Sequence, residues 1–268
     1  MSGQAELQID GPIATLRFSN PDNGYMDTAM EAGLVEAIDQ VENNRDVRAC
    51  ILTGAAPDVF IRHYDVSILS KRADKMAVRG LSFSTDRPVP EGGIHTAMRR
   101  MEAGKTAYIA ALNGSAMGGG FELALACDIR IVATGPYQFG LPEINLGILP
   151  GAGGTQRLPR LIGQAAALRM TLLGDVLDPE ALHATGLTLD LVPDALAAAR
   201  DVAAKLAAKP PAALAHIKRL VRQAHDDKDT GFADERTLFC DLMVREDARA
   251  LMADMANGNR TITDYPDG

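Results

Sequence analysis

Tryptophan is absent from the 268 residues, and aromatic side chains make up only 4% of them. Proteins that hold single-stranded nucleic acid stack its bases on aromatic rings, so the chain is poorly equipped for that task. A cationic excess is missing as well: 27 Lys+Arg face 35 Asp+Glu, a formal net charge of −8. Nucleic-acid affinity rests on clustered basic side chains that neutralise phosphates, so no nucleic-acid partner is expected. No apolar run approaches the roughly 18 residues of a membrane span. The N-terminal MSGQAELQIDGPIATL has no basic head leading into an apolar stretch, so no secretory signal is visible. Cysteine is scarce: Cys50, Cys127 and Cys240 lie far apart in no metal-ligand spacing, and their odd number suits no disulfide framework. These absences predict a cytoplasmic chain with reduced thiols, no membrane association and no structural zinc site.

What remains is an ordinary globular balance, 47% hydrophobic and 23% charged residues, at a length that suits one large domain or two small ones. Ala5–Asp10 and Pro12–Ser19 read as strands joined at Asp10-Gly11, a dipeptide that favours tight hairpin turns. A loop at Asn20–Gly24 leads to a helix over Thr28–Asn43, with Thr28 and Glu31 at capping-box spacing and Leu34, Val35, Ile38 and Val41 along one face. Arg48–Thr53, Ala107–Leu112 and Ile129–Ala133 read as strands, and Gly119–Ala126 as a short helix. Strands alternating with helices predict an α/β arrangement. After about Gly153 nearly everything reads helical, including Gln164–Leu173, Asp194–Ala208 and Pro211–His225, with Leu189–Val192 at most one last strand. The expected organisation is an α/β core over 1–194 and a helical C-terminal region over 195–268. That region carries an apolar stripe (Leu206, Leu214, Ile217, Leu220, Leu242) to be buried in its own core or by a neighbouring subunit.

Chemistry is most concentrated in AYIAALNGSAMGGGFELALACDIRI, residues 107–131. Gly118, Gly119 and Gly120 at the mouth of a helix cost backbone entropy and need a reason. Close helix–strand packing is one; access of a ligand to N–H groups at the positive end of the helix is the other. Glu122 reads as a first-turn acid, where it either compensates the helix dipole or, among Phe121, Leu123, Ala124 and Leu125, is desolvated with raised proton affinity. A second acid, Glu143, lies in QFGLPEINLGILPGAGGTQRL, an apolar loop rich in Gly and Pro. The run Gly151–Arg157 lacks the Gly-Lys-Ser/Thr ending of a phosphate loop and reads as a tight turn feeding a helix. Two acids in apolar surroundings form a plausible acid/base pair.

Two long ordered motifs identify a resemblance. Asn113–Asp128 matches Asn-Gly-x-Ala-x-Gly-Gly-Gly-x-Glu-Leu-Ala-Leu-Ala-Cys-Asp at every fixed position, and Phe139–Leu158 matches Phe-Gly-x-Pro-Glu-x-x-Leu-Gly-x-x-Pro-Gly-x-Gly-Gly-Thr-Gln-Arg-Leu. The chain resembles the crotonase (enoyl-CoA hydratase/isomerase) superfamily over essentially its whole length. The resemblance implies a spiral of ββα units with a helical C-terminal region, assembly as a homotrimer or dimer of trimers, and an acyl-CoA thioester as substrate. It implies that two backbone N–H groups grip the thioester carbonyl, those of Gly119 and Tyr64. Tyr64 falls in Phe60–Asp65, where the family usually reads Phe-x-Ala-Gly-Ala-Asp and this chain has Arg62-His63-Tyr64. By position Glu122 becomes the water-orienting base and Glu143 the proton donor of a hydratase. The same comparison makes Met26, Arg62, His63, Asp65, Val66, Gly118, Pro142 and Gly151 substrate-binding positions.

Other features carry weaker signals. His63 is either a hydrogen-bonded loop histidine or an extra acid/base group, and the Tyr64 phenol is a second candidate addition to the pocket. His95, His183, His216 and His225 read as structural or surface residues. Arg62, Lys71, Arg72, Lys75 and Arg79 form either a solvated basic face or a seat for the phosphates of coenzyme A. Asn23–Asp27 (NGYMD) departs from the family's usual Ala-Leu-Asn at the coenzyme A contact, and Leu81–Gly93 is a variable loop that would shape the acyl pocket. The activity the resemblance implies is syn hydration of a 2-enoyl-CoA without metal or redox cofactor, coenzyme A being part of the substrate. Enoyl-CoA isomerisation, thioester hydrolysis and thioester binding without turnover are the alternatives on the same scaffold.

Overall fold

The computed structural model describes residues 2–223 and 230–263. Strands β1 (Gln4–Asp10) and β2 (Ile13–Ser19) form the expected antiparallel hairpin, and Gly11 takes the left-handed turn conformation at φ 53°. Helix α1 (Thr28–Asn43) buries Leu34, Ile38 and Val41 as its spacing predicts. Its cap differs from the expectation. Asp27, not Thr28, caps the helix, accepting from the amides of Ala29 and Met30. Glu31 is thereby released from a capping role.

The chain then climbs by a repeating step: a strand in one sheet, a strand in a second sheet, then helix. β3 (Ala49–Gly54) is followed by β4 (Asp58–Ile61), then α2 (Val66–Val78) and α3 (Gly93–Ala103). β5 (Ala107–Leu112) leads to β6 (Gly114–Met117) and α4 (Gly118–Ala126); β7 (Ile129–Ala133) leads to β8 (Phe139–Gly140). Beyond these come α5 (Gly154–Ile162), α6 (Gln164–Leu173), β9 (Val176–Leu177), α7 (Pro179–Ala184) and β10 (Asp190–Val192). The six-stranded sheet runs β1-β2-β3-β5-β7-β10, parallel from β2 onward; the four-stranded sheet runs β4-β6-β8-β9 with only β9 antiparallel. This is the crotonase-like spiral of ββα units.

Parallel strands covered on both faces must be apolar throughout, and their alternation decides which neighbour each side chain meets. Cys50, Leu52, Tyr108, Ala110, Leu112 and Val132 face the main core with α1 and α4. Ala49, Ile51, Ile109, Ala111, Ile131 and Ala133 face the opposite way, onto helix α8 (Ala195–Ala207). α8 meets them with Ala195, Ala199 and Ala203, spaced by four so that small side chains line the contact. Asp194 caps this helix. Helices α9 (Pro211–Gln223), α10 (Thr230–Met243) and α11 (Glu246–Ala256) follow. Of the apolar stripe, Leu206 and Leu242 pack inward, whereas Ile217 and Leu220 remain about 60% exposed on the single chain, at 61% and 60%. His225 lies outside the described residues. Among the described residues no helix is long and apolar enough to cross a membrane.

Candidate active site

The site grows from the order of strands in the smaller sheet. β4, β6 and β8 are parallel neighbours, so the segments leaving their C-terminal ends emerge side by side. After β4 comes 62–65, after β6 the glycine triplet, and after β8 the Pro142–Glu143 turn. The amide of Met117 donates to the Arg62 carbonyl at 2.8 Å, which carries the β4–β6 pairing up to the start of α4. On the other side of 62–65, Met26 forms a parallel bridge with Tyr64, in which Met26 N–H donates to His63 and Asp65 N–H to Met26. That pattern turns the Tyr64 N–H away from Met26 and toward α4. A Cβ placed on Gly119 would sit 3.9 Å from the Tyr64 nitrogen. Gly119 is the second residue of α4, and its N–H is one of the four at a helix start that have no partner within the helix.

The three glycines serve three purposes. Gly118 adopts φ 49°, a conformation a side chain resists. Gly120 abuts β4 so closely that any Cβ would run into the Ile61 carbonyl oxygen. Gly119 meets only ordinary contacts, with Tyr64 Cβ at 3.5 Å and Ile94 Cδ1 at 3.9 Å. Packing therefore explains Gly120, backbone conformation explains Gly118, and access to the amides is what Gly119 provides.

Glu122 lies in the second turn of α4, beyond the first-turn position the sequence suggested, so dipole compensation does not account for it. It is 2% exposed. The amides of Ala152 and Gly154 both donate to its Oε1 at 2.8 Å. The carboxylate is thus gripped at Oε1. Burial raises its proton affinity above the ordinary carboxylate value, against the pull of the two amides and of Arg157. Glu143 opens a 3₁₀ turn, Glu143–Leu146, and is 6% exposed. Its Oε1 would lie 3.1 Å from a Cβ on Gly118, which brings it to the same strand end.

A cavity of about 130 Å³ joins these groups, with Glu122, Glu143, Gly118, Gly119, Tyr64, His63, Val66 and Gly151 all in its wall. Four expected positions do not line it. Asp65 caps α2 by accepting from Ser67 N–H, Met26 pairs through its backbone, Arg62 is exposed, and Pro142 is buried beside the wall. The His63 ring is held by Nδ1 against the Tyr64 carbonyl at 2.8 Å and stacks on Tyr25; burial lowers its proton affinity. Of the basic cluster, Arg72 lines the cavity while Lys71, Lys75 and Arg79 stay exposed.

Two further wall residues, Glu31 and His95, carry no functional signal in the local sequence. Glu31 reaches from α1 to accept from the Tyr64 hydroxyl at 2.8 Å and from the Ile94 amide at 2.9 Å. Arg72 approaches the same hydroxyl at 3.3 Å. Burial and the Glu31 carboxylate push the Tyr64 phenol well above its ordinary pKa, so it stays protonated and its ring is pinned to one side of the cavity. His95, expected to be structural or on the surface, also lines the wall. Their partners lie 33 to 63 residues away in the chain, beyond the reach of local spacing.

Comparison with known proteins places the chain among relatives of one family. The enoyl-CoA hydratase/isomerase family matches residues 8–256. The 2,3-dehydroadipyl-CoA hydratase of Escherichia coli is 35% identical over 225 residues, 83% of each chain. The short-chain-enoyl-CoA hydratase of Clostridium acetobutylicum is 33% identical over 254 residues, 92% of each chain. Among solved structures, enoyl-CoA hydratase subunit I of Geobacillus kaustophilus superimposes with a TM-score of 0.71 at 31% identity, covering 95% of both chains.

Proposed function

Since this chain belongs to the enoyl-CoA hydratase/isomerase family, whose members act on acyl-CoA thioesters, we propose that it adds water syn across the double bond of a 2-enoyl-CoA. The observation that carries this reading is one cavity holding two buried carboxylates beside two backbone amides. Attack at the β carbon moves negative charge onto the thioester oxygen. The Tyr64 and Gly119 N–H groups donate to that oxygen, and donors fixed before the reaction stabilise the enolate without reorganising. Glu122, ionised and fixed through Oε1, takes a proton from the attacking water. Glu143 delivers a proton to the α carbon on the same face, and the two carboxyl groups exchange roles in the reverse direction. No metal or redox cofactor is needed for these steps. Homotrimers or dimers of trimers form part of the reading, supported by the exposed Ile217 and Leu220 on α9.

The test is the loss of enoyl-thioester absorbance with crotonyl-CoA and with a longer or branched enoyl-CoA. Hydration of at least one, with 3-hydroxyacyl-CoA as product, is the expected result. Release of free coenzyme A would make the protein a thioester hydrolase, a shifted double bond an isomerase, and tight binding without turnover a binding protein.

Because the donor at residue 64 is a backbone amide, the phenol is dispensable for the chemistry. Tyr64→Phe should keep kcat/KM within about threefold, since the amide that meets the developing charge is retained. It removes the hydrogen from Glu31 Oε2, however, and leaving this half-buried acceptor without its donor costs about 1 kcal/mol, the low end for a lost partner. A melting temperature lowered by several degrees with near-normal kinetics is the expected pair of results. A hundredfold loss of kcat in a folded Tyr64→Phe would instead make the phenol a catalytic group.

A further inference from the structure

We infer that His95 is a positioning residue for Glu122, acting through the single peptide unit that joins Gly151 to Ala152. The inference rests on the assignment of Glu122 as the base. The chain of contacts is short. Gly92 N–H donates to His95 Nδ1 at 3.1 Å, and His95 Nε2 meets the Gly151 carbonyl oxygen at 2.8 Å. The Gly151 carbonyl and the Ala152 N–H belong to one planar peptide group, and that N–H donates to Glu122 Oε1 at 2.8 Å.

These partners fix the tautomer. A backbone N–H pointing at Nδ1 requires a lone pair there, so the ring proton sits on Nε2 and is donated to Gly151. His95 is therefore neutral when the chain of bonds is intact. Burial favours the same form by lowering its proton affinity. The charged groups that face His95 come from three elements: Arg236 on α10 opposes protonation, whereas Glu31 on α1 and Glu91 in the loop before α3 favour it. Glu122 itself faces Arg157 on α5, whose guanidinium donates to the Ala152 carbonyl on the far side of the same residue.

Two physical effects follow. Peptide planarity means that pinning the Gly151 oxygen also fixes the direction of the Ala152 N–H, and with it the orientation of the Glu122 carboxylate. Hydrogen bonds in series polarise one another, so a carbonyl that accepts from His95 makes its own N–H a stronger donor. Both effects favour the ionised carboxylate. Without His95 the proton affinity of Glu122 rises further, and the acid side of the activity profile moves to higher pH.

The experiment compares His95→Gln with His95→Leu and His95→Asn. The Gln amide nitrogen can occupy the Nε2 position and keep the bond to Gly151; Leu lacks a donor, and Asn is too short to reach. Hydration of crotonyl-CoA by the Leu and Asn variants is expected to fall about tenfold in kcat, with the acid limb moved up by about one pH unit, the two being equivalent in energy. His95→Gln should recover most of both. A readout without turnover is the carbon-13 titration of the Glu122 carboxyl, assigned by its disappearance in Glu122→Gln, which should move in the same direction. A folded Leu or Asn variant with an unmoved limb and unmoved carbon-13 titration overturns the relay, as does a rate loss that His95→Gln does not recover. Full activity of Glu122→Gln rejects the base assignment itself, whereas its inactivity beside unaffected His95 variants rejects the relay alone.

Discussion

Glu122→Gln is expected to lower kcat at least ~100-fold, the usual weight of a positioned general base, while leaving the protein as stable as before or more so. The amide of Gln retains an oxygen that can accept from Ala152 and Gly154, so the loop over 151–154 keeps its anchor. Only the charge and the basicity are lost. The sign of the stability effect follows from the raised proton affinity of Glu122. A carboxyl whose pKa is higher folded than unfolded holds its proton more tightly in the native state, so stability falls as pH rises from the ordinary value of 4.5 through the raised one. Above the raised value the wild type has lost that contribution, and the neutral Gln variant has not. Thermal melts over pH should therefore show a smaller decline with rising pH in Glu122→Gln than in the wild type. Activity has the opposite slope. The base must be ionised, so turnover should decline as pH falls through a limb lying above the ordinary carboxylate range. Glu143→Gln should lose kcat by a similar factor. Wild-type turnover in either variant, or a limb no higher than that of an ordinary carboxylate, would refute the paired-acid mechanism.

What the sequence made legible, and what it hid, divides by the range of the interaction. The hairpin at Asp10-Gly11, the buried face of α1 and the strands Ala107–Leu112 and Ile129–Ala133 follow from periods and turn preferences a few residues long, and the structure keeps them. Glu31 shows the limit. At i+3 from Thr28 it has the spacing of a capping box, but Asp27 one residue earlier caps the helix through the amides of Ala29 and Met30, and Glu31 is drawn 63 residues away to Ile94. His95 fails for the same reason, since nothing near it in sequence announces Gly151. The two acids were visible because each sits inside a long motif. Their meeting in one cavity depends on β6 pairing with β8 in the smaller sheet, and no local pattern encodes the order of strands.

Gly119→Ala is expected to fold as well as the wild type and to lose ~10²–10³ in kcat, the measured weight of a donor in an oxyanion site. The substitution is mild for the fold. Its Cβ would make ordinary contacts with Tyr64 and Ile94, and Gly119 does not need a left-handed backbone. In a helix, Ala is moreover the more stable of the two by about 0.5–1 kcal/mol. The cost falls on the substrate, because a methyl at that point stands 3.9 Å from the Tyr64 nitrogen and would crowd the acyl oxygen both amides are to receive. Gly120→Ala, one residue on, should behave in the reverse way. Its Cβ would force α4 off the Ile61 carbonyl, and overpacking of this kind typically costs about 1–3 kcal/mol. Its melting temperature should drop by several degrees, with activity falling only as the folded fraction falls. The pair separates the two reasons for a glycine in one helix. If Gly119→Ala melted as early as Gly120→Ala, or turned over crotonyl-CoA at the wild-type rate, the amide of residue 119 would have no claim on the thioester oxygen.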